Sequence, residues 1–406
     1  MKKNWQIKKL GEICNFVGGG TPSKNNSDFW NGNIPWASIK DIKGQYLNKT
    51  SDYITDLGLK KSATNLAHPN EIILATRINP GRPIITKIKT SINQDLKIVR
   101  PKIEIHRDFL YYLFLNIEND IIKLSNGTTV LGITLNSLNE IDIHLPTLET
   151  QQAIISKIEE LFSELDKGIE DLKTAQQQLK TYRQSVLKWA FEGKLTNEDL
   201  REGELPKGWE WTTFQKVCIK IGDIDHKMPK QLEKGYPYVS TKDFTNNLKI
   251  SFDNAKYISE EDYLNLSRKI KPEKGDIIFP RYGTIGKNIL VDFDKEFLVS
   301  YSCAVIKPNH DIVLSKYIYL FSLSPKITDE IRKYVVKTTQ ANIGIASIKS
   351  FVFPLPSIEE QQKVIDELES RLSVADKMEE SIAQSLQQAE ALRQSILKKA
   401  FNGELV

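Results

Sequence analysis

The chain has 406 residues, of which 40% are apolar and 27% are charged, and its formal net charge is +4. This length corresponds to roughly two to four domains, each large enough to bury its own core. No stretch approaches the ~18 apolar residues of a membrane-spanning helix, and the first residues, MKKNWQIKKLGEI, do not resemble a signal peptide. We therefore expect a cytoplasmic protein without a membrane partner. The three cysteines are far apart and give no indication of a disulfide framework or a zinc site.

Residues 1–144 form a basic block with a net charge of +6. Short runs of strand character, such as IILAT and KIVRP, precede a helix-like run, RDFLYYLFLNIEND. Two loops, GGGTPSKNNS at 18–27 and NGTTVLG at 126–132, combine glycine with small polar side chains. The block therefore predicts an α+β lobe.

An acidic segment with a net charge of −4 follows at 145–204, and it has the pattern of one long helix. Apolar residues recur mostly at steps of four and three, which indicates the heptad seam of a coiled coil. The predicted seam consists of Ile154, Ile158, Leu161, Leu165, Leu172, Ala175, Leu179, Tyr182, Val186 and Trp189. Pro146, Thr147 and Thr150 predict the start of the helix, and Gly193 predicts its end.

Residues 205–354 repeat the basic block, again with a net charge of +6. PWASIKDI at 35–42 corresponds to PYVSTKDF at 237–244, and EIILATRINPGR at 71–82 corresponds to DIIFPRYGTIGK at 276–287. The block predicts a second α+β lobe, whose candidate loops are RYGTIGKN at 281–288 and VKTTQANIG at 336–344.

The last segment, 355–406, again has a net charge of −4 and repeats the long helix. Residues 145–195 align with 355–405 without a gap, and 22 of the 51 pairs are identical, including LPTLETQQ against LPSIEEQQ at the start. Such a repeat indicates a duplicated unit. The second seam contains Val364, Leu368, Ala375, Met378, Ile382, Ala389, Leu392 and Ile396.

The duplication predicts the fold class and the domain map. We expect an α+β protein with two globular lobes separated by two long helices, which pair as an antiparallel coiled coil and relate the halves by a pseudo-twofold axis. The predicted domains are 1–144, 145–200, 201–354 and 355–406.

The alternation of basic and acidic blocks favours attraction of a polyanion to the lobes. In their loops, lysine and arginine suit phosphates, small polar side chains suit base edges, and glycines permit close backbone approach. The candidate DNA-binding residues are Thr21, Ser23, Lys24, Lys40, Asp41, Arg77, Arg82, Thr128, Thr129, Lys242, Asp243, Arg281, Tyr282, Thr284, Lys287, Thr338, Thr339 and Gln340. A solvated lysine-rich surface and ordinary turns are the alternative explanations.

No catalytic motif accompanies these loops. GTIGK at 283–287 lacks the spacing GxxxxGK[ST] of a phosphate loop, and the five histidines are isolated. No tetrapeptide similar to the NPPY of adenine methyltransferases is present. The sequence therefore favours a binding protein without chemistry of its own.

Repeated LPxxExQQ and RQSxLKxAFxGxL, together with LPKGWEW at 205–211 and the DIIFPRYGTIGK loop, make the chain resemble the specificity subunit of type I restriction-modification systems. The resemblance covers essentially the whole chain. It implies two target recognition domains that read the two parts of a split double-stranded DNA site. It also implies paired helices that dock two modification subunits, which methylate adenine.

The resemblance further implies that this chain holds no cofactor. S-adenosylmethionine is expected on the modification subunits, and ATP and Mg on two restriction (motor) subunits. The residues expected to dock partners are Gln151, Gln152, Phe191, Gln361, Gln362 and Phe401. Because TRINPGR replaces PRYGTIGK in the first lobe, the DNA role is carried over less directly to Arg77 and Arg82 than to Arg281 and Lys287.

Two alternatives to this interpretation stay open. One is a coiled-coil scaffold that joins protein partners without reading DNA. The other is a self-sufficient enzyme, for which the sequence lacks a methyl-donor or metal site.

Overall fold

The computed structural model describes residues 5–127, 130–197, 200–201, 203–226, 228–335 and 341–406. The chain divides into two compact units. The first unit contains the chain up to Leu172 together with Gln384–Val406, and the second contains Lys173–Ala383. Each unit therefore combines a lobe with segments of both long helices.

The lobe of the first unit mixes short strands with four helices among its described residues. Its strands are β1 (Gln6–Lys9), β2 (Cys14–Gly18), β3 (Trp30–Ala37), β4 (Tyr46–Leu47), β5 (Asp52–Ile54), β6 (Leu66–Ala67), β7 (Ile72–Ala75), β8 (Pro83–Thr86), β9 (Thr90–Ile92), β10 (Leu96–Pro101) and β11 (Asp142–Leu145). Its helices are α1 (Leu10–Ile13), α2 (Asp56–Lys60), α3 (Arg107–Lys123) and α4 (Leu135–Asn139). The long helix α5 (Leu148–Phe191) follows and extends into the second unit.

Three sheets organise the first lobe. A five-stranded sheet has the order β2-β10-β7-β8-β4, a four-stranded sheet has the order β5-β3-β9-β6, and β1 pairs with β11. Strands β3 and β9 are parallel, with Trp36 opposite Ser91. This parallel pair matters for the site, because the segments that follow both strands emerge from the same edge of the sheet.

The lobe of the second unit repeats much of this order. Its strands are β12 (Glu210–Thr213), β13 (Cys218–Gly222), β14 (Tyr236–Val239), β15 (Lys256–Ile258), β16 (Ile277–Pro280), β17 (Ile289–Leu290), β18 (Leu298–Val299), β19 (Cys303–Pro308) and β20 (Val352–Leu355). Its helices are α6 (Phe214–Val217), α7 (Glu260–Ser267), α8 (Ser315–Phe321), α9 (Pro325–Tyr334) and α10 (Ile345–Lys349), and the long helix α11 (Ile358–Phe401) follows.

The sheets of the second lobe correspond to those of the first. Their orders are β13-β19-β16-β17, β15-β14-β18 and β12-β20, and β14 and β18 are again parallel. The duplication predicted from the sequence is therefore confirmed at the level of sheet order, and so is the α+β class.

The two long helices begin and end with the same local interactions. The Thr150 backbone N–H donates to the Thr147 side chain at 3.3 Å, and Glu360 N–H donates to Ser357 at 3.4 Å. At the other ends, Gly193 and Gly403 have φ values of 77° and 70°. Such left-handed conformations suit glycine and end a helix by redirecting its last carbonyls. The predicted start and end of the first long helix are confirmed, and the second long helix repeats both.

Within each unit the long helices run antiparallel and share a hydrophobic core with the lobe. In the first unit, residues near the start of α5 join residues near the end of α11 in one buried cluster: Ile154, Ile155, Ile158, Phe162, Ile396, Leu397, Ala400 and Phe401. In the second unit, residues near the end of α5 join residues near the start of α11 in one buried cluster: Val186, Leu187, Ala190, Phe191, Val364, Ile365 and Leu368. The antiparallel pairing predicted from the two seams is confirmed.

An interhelical ion pair occurs in both units at positions related by the repeat. In the second unit, an Arg183 guanidinium nitrogen lies 2.5 Å from Asp376 and 3.0 Å from Glu379. In the first unit, Arg393 pairs with Asp166 in the same way. Because these side chains are partly exposed, each pair contributes at most ~1 kcal/mol to stability and acts mainly on the register of the helices.

Four of the predicted seam positions are wrong. Tyr182, Trp189, Met378 and Leu392 are exposed at 38%, 38%, 53% and 50% of their surface. A helix with 3.6 residues per turn drifts by ~20° per heptad from a strict seven-residue pattern. Towards its ends, each helix also buries the face that meets its lobe, so the seam predicted by a strict heptad does not coincide with the buried face.

Cys14 and Cys303 are buried and Cys218 is partly buried, and this keeps the three thiols protonated at neutral pH. Burial raises the pKa of Cys14, Cys218 and Cys303 to about 12 in each case. We expect all three thiols of the native chain to remain unmodified by a disulfide reagent at pH 8, since the thiolate is the reactive form. Mass spectrometry before and after denaturation should show no label in the native protein and three labels in the unfolded one, whereas fast labelling of the native chain would contradict the buried placement.

Candidate functional site

An open cleft of about 620 Å³ lies beside the 18–27 loop of the first unit. Its lining includes three predicted DNA ligands, Thr21, Lys24 and Lys40. The Lys24 side chain is exposed, and Lys40 lies 2.7 Å from Asp52 with half of its own side chain exposed. The structure thus brings cations from two separate segments to one cleft, which we call the first-unit cleft.

Two tryptophans anchor the loop that borders the first-unit cleft. The rings of Trp30 and Trp36 meet edge to face at 5.1 Å. The Trp30 indole N–H donates to the Ser23 carbonyl at 3.1 Å, and Trp36 donates to the Gly20 carbonyl at 3.0 Å. A Cβ atom at Gly19 would lie 2.1 Å from a backbone oxygen of the same lobe. Glycine at this position is therefore required for packing of the loop against its own lobe, which is a different reason from the approach of nucleic acid that the sequence suggested.

Asp41 and Asp243 cap equivalent short 3₁₀ turns. One Asp41 oxygen accepts the Ser38 backbone N–H at 2.9 Å, and the other accepts the Ser51 hydroxyl at 2.7 Å. Asp243 accepts the Ser240 backbone N–H at 2.7 Å. These carboxylates are used within the lobes, so their geometry supports a structural role in place of the predicted contact with bases.

A segment that the sequence analysis missed forms the opposite wall of the first-unit cleft. It is the connection between β9 and β10, residues Asn93, Gln94 and Asp95. The Asn93 backbone N–H donates to the Ala37 carbonyl at 2.9 Å, and the Asp95 carbonyl accepts from Thr76 at 2.8 Å. The segment is therefore fixed to the strands on both sides.

Side chains reinforce this segment and expose its central residue. The Asn93 amide donates to the Asp95 carboxylate at 3.0 Å, and Asn93 Oδ1 accepts the Asp95 backbone N–H at 3.1 Å. Asn93 is buried, whereas Gln94 is exposed and its Oε1 accepts a hydrogen bond from the Thr21 hydroxyl. Gln94 thus projects from a rigid frame into the first-unit cleft.

The two predicted arginines of the first unit occupy different surroundings. A guanidinium nitrogen of Arg77 lies 3.3 Å from Asp95, which lines the first-unit cleft, and half of the Arg77 side chain is exposed. Arg82 lies 3.4 Å from Glu118 of α3 and lines a different cavity, which also contains Arg393. The structure associates Arg77 with the cleft and places Arg82 elsewhere.

The second unit has the same frame with different side chains. Ser300 N–H donates to the Val239 carbonyl at 2.8 Å, and the Ser302 carbonyl accepts from Arg281 at 2.8 Å. These bonds repeat those of Asn93 and Asp95, so Tyr301 occupies the position of Gln94. The Tyr301 ring stacks on His226 at 4.6 Å.

Arg281 is buried, which supports a structural role in place of its predicted direct contact with DNA. Its side chain is 9% exposed and pairs with Asp223, whose side chain is 11% exposed. Its Nε donates to the Ile343 carbonyl at 3.0 Å. Because its Nε and Nη1 are bound to groups of the same lobe, the Arg281 guanidinium fixes the loop after β16.

The rest of that loop is accessible. Thr284 and Lys287 are exposed, and Tyr282 is half-buried beside the Arg281 guanidinium at 5.4 Å. Within the described part of the chain, neither Lys287 nor the exposed Lys242 forms an ion pair. Both therefore stay candidates for phosphate contacts. The predicted residues Thr128, Thr129, Thr338, Thr339 and Gln340 lie outside the described residues.

The first glutamine of each LPxxExQQ motif forms hydrogen bonds with backbone groups of its own unit. Gln151 Oε1 accepts the His106 backbone N–H at 3.0 Å, immediately before α3. Gln361 Oε1 accepts the Leu314 backbone N–H at 2.8 Å, immediately before α8. Gln151 and Gln361 are 1% and 0% exposed, which supports a structural role in place of their predicted direct contact with a partner.

Phe191 and Phe401 are likewise core residues. Phe191 contacts Tyr317 and Phe321, both at 5.2 Å between ring centroids, and Phe401 contacts Phe109 at 5.1 Å. Their burial supports a structural role in place of the predicted contact with a partner. Of the six predicted docking residues, only Gln152 and Gln362 are exposed.

Across the described ranges, no group of three or more His, Cys, Asp or Glu side chains could hold a metal ion. In the same part of the chain, no helix is long and apolar enough to cross a membrane.

Comparison with known proteins identifies relatives along the whole chain. The chain is 26% identical over 399 residues to the type I restriction enzyme MjaIX specificity subunit of Methanocaldococcus jannaschii, covering 91% of this chain and 88% of the relative. It is 24% identical over 431 residues to the EcoKI specificity subunit of Escherichia coli, covering 100% and 90%. Both relatives are matched over most of their own length.

Solved structures share the fold. A chain from a type I restriction-modification complex superposes with a TM-score of 0.71 over 98% of both chains, at 20% identity. The HsdS subunit from Thermoanaerobacter tengcongensis gives a TM-score of 0.59, also at 20% identity, over 100% of this chain and 98% of that one. The model of the type I restriction modification DNA specificity domain matches twice, at residues 2–174 and 206–388. The chain therefore belongs to the family of type I restriction-modification specificity subunits.

Proposed function

We propose that this chain reads a bipartite double-stranded DNA target, one part with each unit, and docks two modification subunits on its long helices. In this proposal the chain has no active site of its own. S-adenosylmethionine belongs to the modification subunits, and ATP and Mg belong to two restriction subunits. The predicted domain map, with lobes at 1–144 and 201–354, assigns DNA reading to the lobes.

The observation that carries the proposal is the shared frame with divergent side chains. The connections β9–β10 and β18–β19 are held by equivalent backbone hydrogen bonds, yet one presents Gln94 and the other Tyr301. A scaffold that only joins proteins needs no such divergence at structurally equivalent positions. Two readers of different half-sites do need it, because base identity is recognised by side chains and position is fixed by the backbone frame.

The decisive experiment is to sequence methylated adenines in the host with and without this gene. We expect a gapped motif with two specified parts to be methylated only when the gene is present. Purified complex should also bind DNA that contains this motif with an affinity that falls steeply with salt concentration. Retention of every methylated motif after deletion, together with salt-independent or absent DNA binding, would favour a protein scaffold.

Lys24 and Lys287 provide a test of phosphate contacts, one in each unit. Each is exposed. Replacing either with Ala should weaken binding almost equally for all DNA sequences and lower the salt slope by about 1. Lys123→Ala is the matched control, since Lys123 is exposed on α3 and already pairs with Asp120 at 3.1 Å. An altered motif in the Lys24 or Lys287 variant would instead assign that lysine to base reading.

A further inference from the structure

The first-unit cleft contains many polar side chains, but most of their hydrogen-bonding groups are already used within the lobe. Asp41 and Ser38 bind each other across the 3₁₀ turn, and Lys40 binds Asp52. Asp95 binds Asn93 and Arg77. Groups committed in this way can position DNA, but they are poorly suited to distinguish one base from another.

Gln94 is different from these side chains. It is exposed, and its Oε1 is oriented by the Thr21 hydroxyl. Among the described residues, none accepts a hydrogen bond from its Nε2 amide nitrogen. The side chain therefore offers a free donor beside an acceptor that retains one lone pair, since a carbonyl oxygen has two.

The backbone around Gln94 has little freedom. Asn93 and Asp95 are each fixed to a neighbouring strand or to the segment that follows one, through Ala37 and Thr76. The buried Asn93 side chain closes the turn. A side chain whose backbone and carbonyl are both fixed loses little entropy when it binds, and this favours specific recognition.

We infer that Gln94 reads the major-groove edge of an adenine in the half-site bound by the first unit. An adenine presents the N7 acceptor beside the N6 donor, which matches the donor and acceptor of one amide group. Guanine presents two acceptors there and cytosine one donor, so neither satisfies both atoms of the amide. This inference rests on the proposed function, because it requires the first unit to read DNA.

The test uses the complex of the full chain with its modification subunits and a randomised DNA library, from which bound molecules are sequenced. Gln94→Ala should relax one adenine position in one half-site by about 5- to 140-fold in discrimination, which corresponds to the loss of 1–3 kcal/mol. Gln94→Glu should shift the preference at that position towards cytosine, because a carboxylate accepts from cytosine N4. The other half-site should be unchanged in both variants.

Two controls make the result interpretable. Gln6→Ala replaces another exposed glutamine of the same unit, on β1, and should leave the motif unchanged. Tyr301→Ala changes the equivalent position of the second unit and should alter only the other half-site. If the original complex selects no gapped motif, the proposed function fails. If it selects one and the Gln94 variants select the same motif, or select none while fully folded, the assignment of Gln94 is wrong and the proposed function stands.

Discussion

Replacing Arg281 with Met is expected to lower the free energy of unfolding of the second unit by about 3 kcal/mol. Removing one partner of a buried ion pair typically costs ~3–5 kcal/mol, because the remaining charge stays buried without compensation. We expect the lower end of this range, because Lys269 lies 3.3 Å from the other oxygen of Asp223 and still compensates part of the carboxylate charge. The substitution also removes the donor to the Ile343 carbonyl.

Hydrogen exchange measures this effect within the second unit. Strands β16 and β19 should lose protection in Arg281→Met, because Arg281 directly follows β16, which pairs with β19. Lys287→Met is the control from the same loop, and its exposed side chain should cost less than ~0.5 kcal/mol. Adding Asp223→Asn to Arg281→Met should recover part of the loss, with a coupling of ~0.5–3 kcal/mol. Equal protection in the Arg281 and Lys287 variants would show that the buried pair has no structural role.

The long helices could be predicted because their signals are local. The predicted spacer began at 145 and the helix α5 begins at Leu148, after the capping residue Thr147. Caps, glycine stops and apolar periodicity depend on neighbours within a few turns, and a single sequence contains them. The same reasoning failed at Trp189, whose exposure depends on which face of the helix end meets the lobe.

The hydrogen-bonded frame of the β9–β10 and β18–β19 connections could not be predicted, because backbone hydrogen bonds between distant segments create it. INQD at 92–95 and VSYS at 299–302 share no identical residue at equivalent positions, yet their connections have matching bonds to the preceding sheets. Conversely, the charge of Arg281 and its place in a glycine-containing loop predict a contact with DNA. Its burial depends on Asp223, 58 residues earlier in the chain, and no spacing rule connects the two.

The repeated Gln-Gln pair shows, in two adjacent residues, what the sequence predicts and what it cannot predict. Gln361 and Gln362 are identical in type and both recur at the same repeat offset, so sequence comparison assigned them one role. Consecutive residues of an α-helix point about 100° apart, since one turn contains 3.6 residues. One glutamine therefore enters the lobe while the other faces solvent, and a substitution experiment can separate their roles.

Gln361→Ala is expected to destabilise the second unit by about 3 kcal/mol. The buried amide satisfies three backbone groups, the Leu314 N–H at 2.8 Å and the carbonyls of Ile312 and Pro356 at 3.0 Å each. Each unsatisfied buried group costs ~1–3 kcal/mol, and some of the three groups will be reached by water after the substitution. Among the described residues Gln151 satisfies two such groups, so Gln151→Ala in the first unit should cost less, about 2 kcal/mol.

The exposed neighbours are the matched controls and also test docking. Gln362→Ala and Gln152→Ala should each change stability by less than ~0.5 kcal/mol, because each side chain is exposed and its amide donates to the residue four positions further along its own helix. If these glutamines contact the modification subunits, both variants should weaken capture of that subunit by the folded chain. Exchange of the amides at 312–318 distinguishes the two effects: it should increase in Gln361→Ala and stay unchanged in Gln362→Ala. Increased exchange in both variants, or in neither, would contradict the assignment of a structural role to the first glutamine and a surface position to the second.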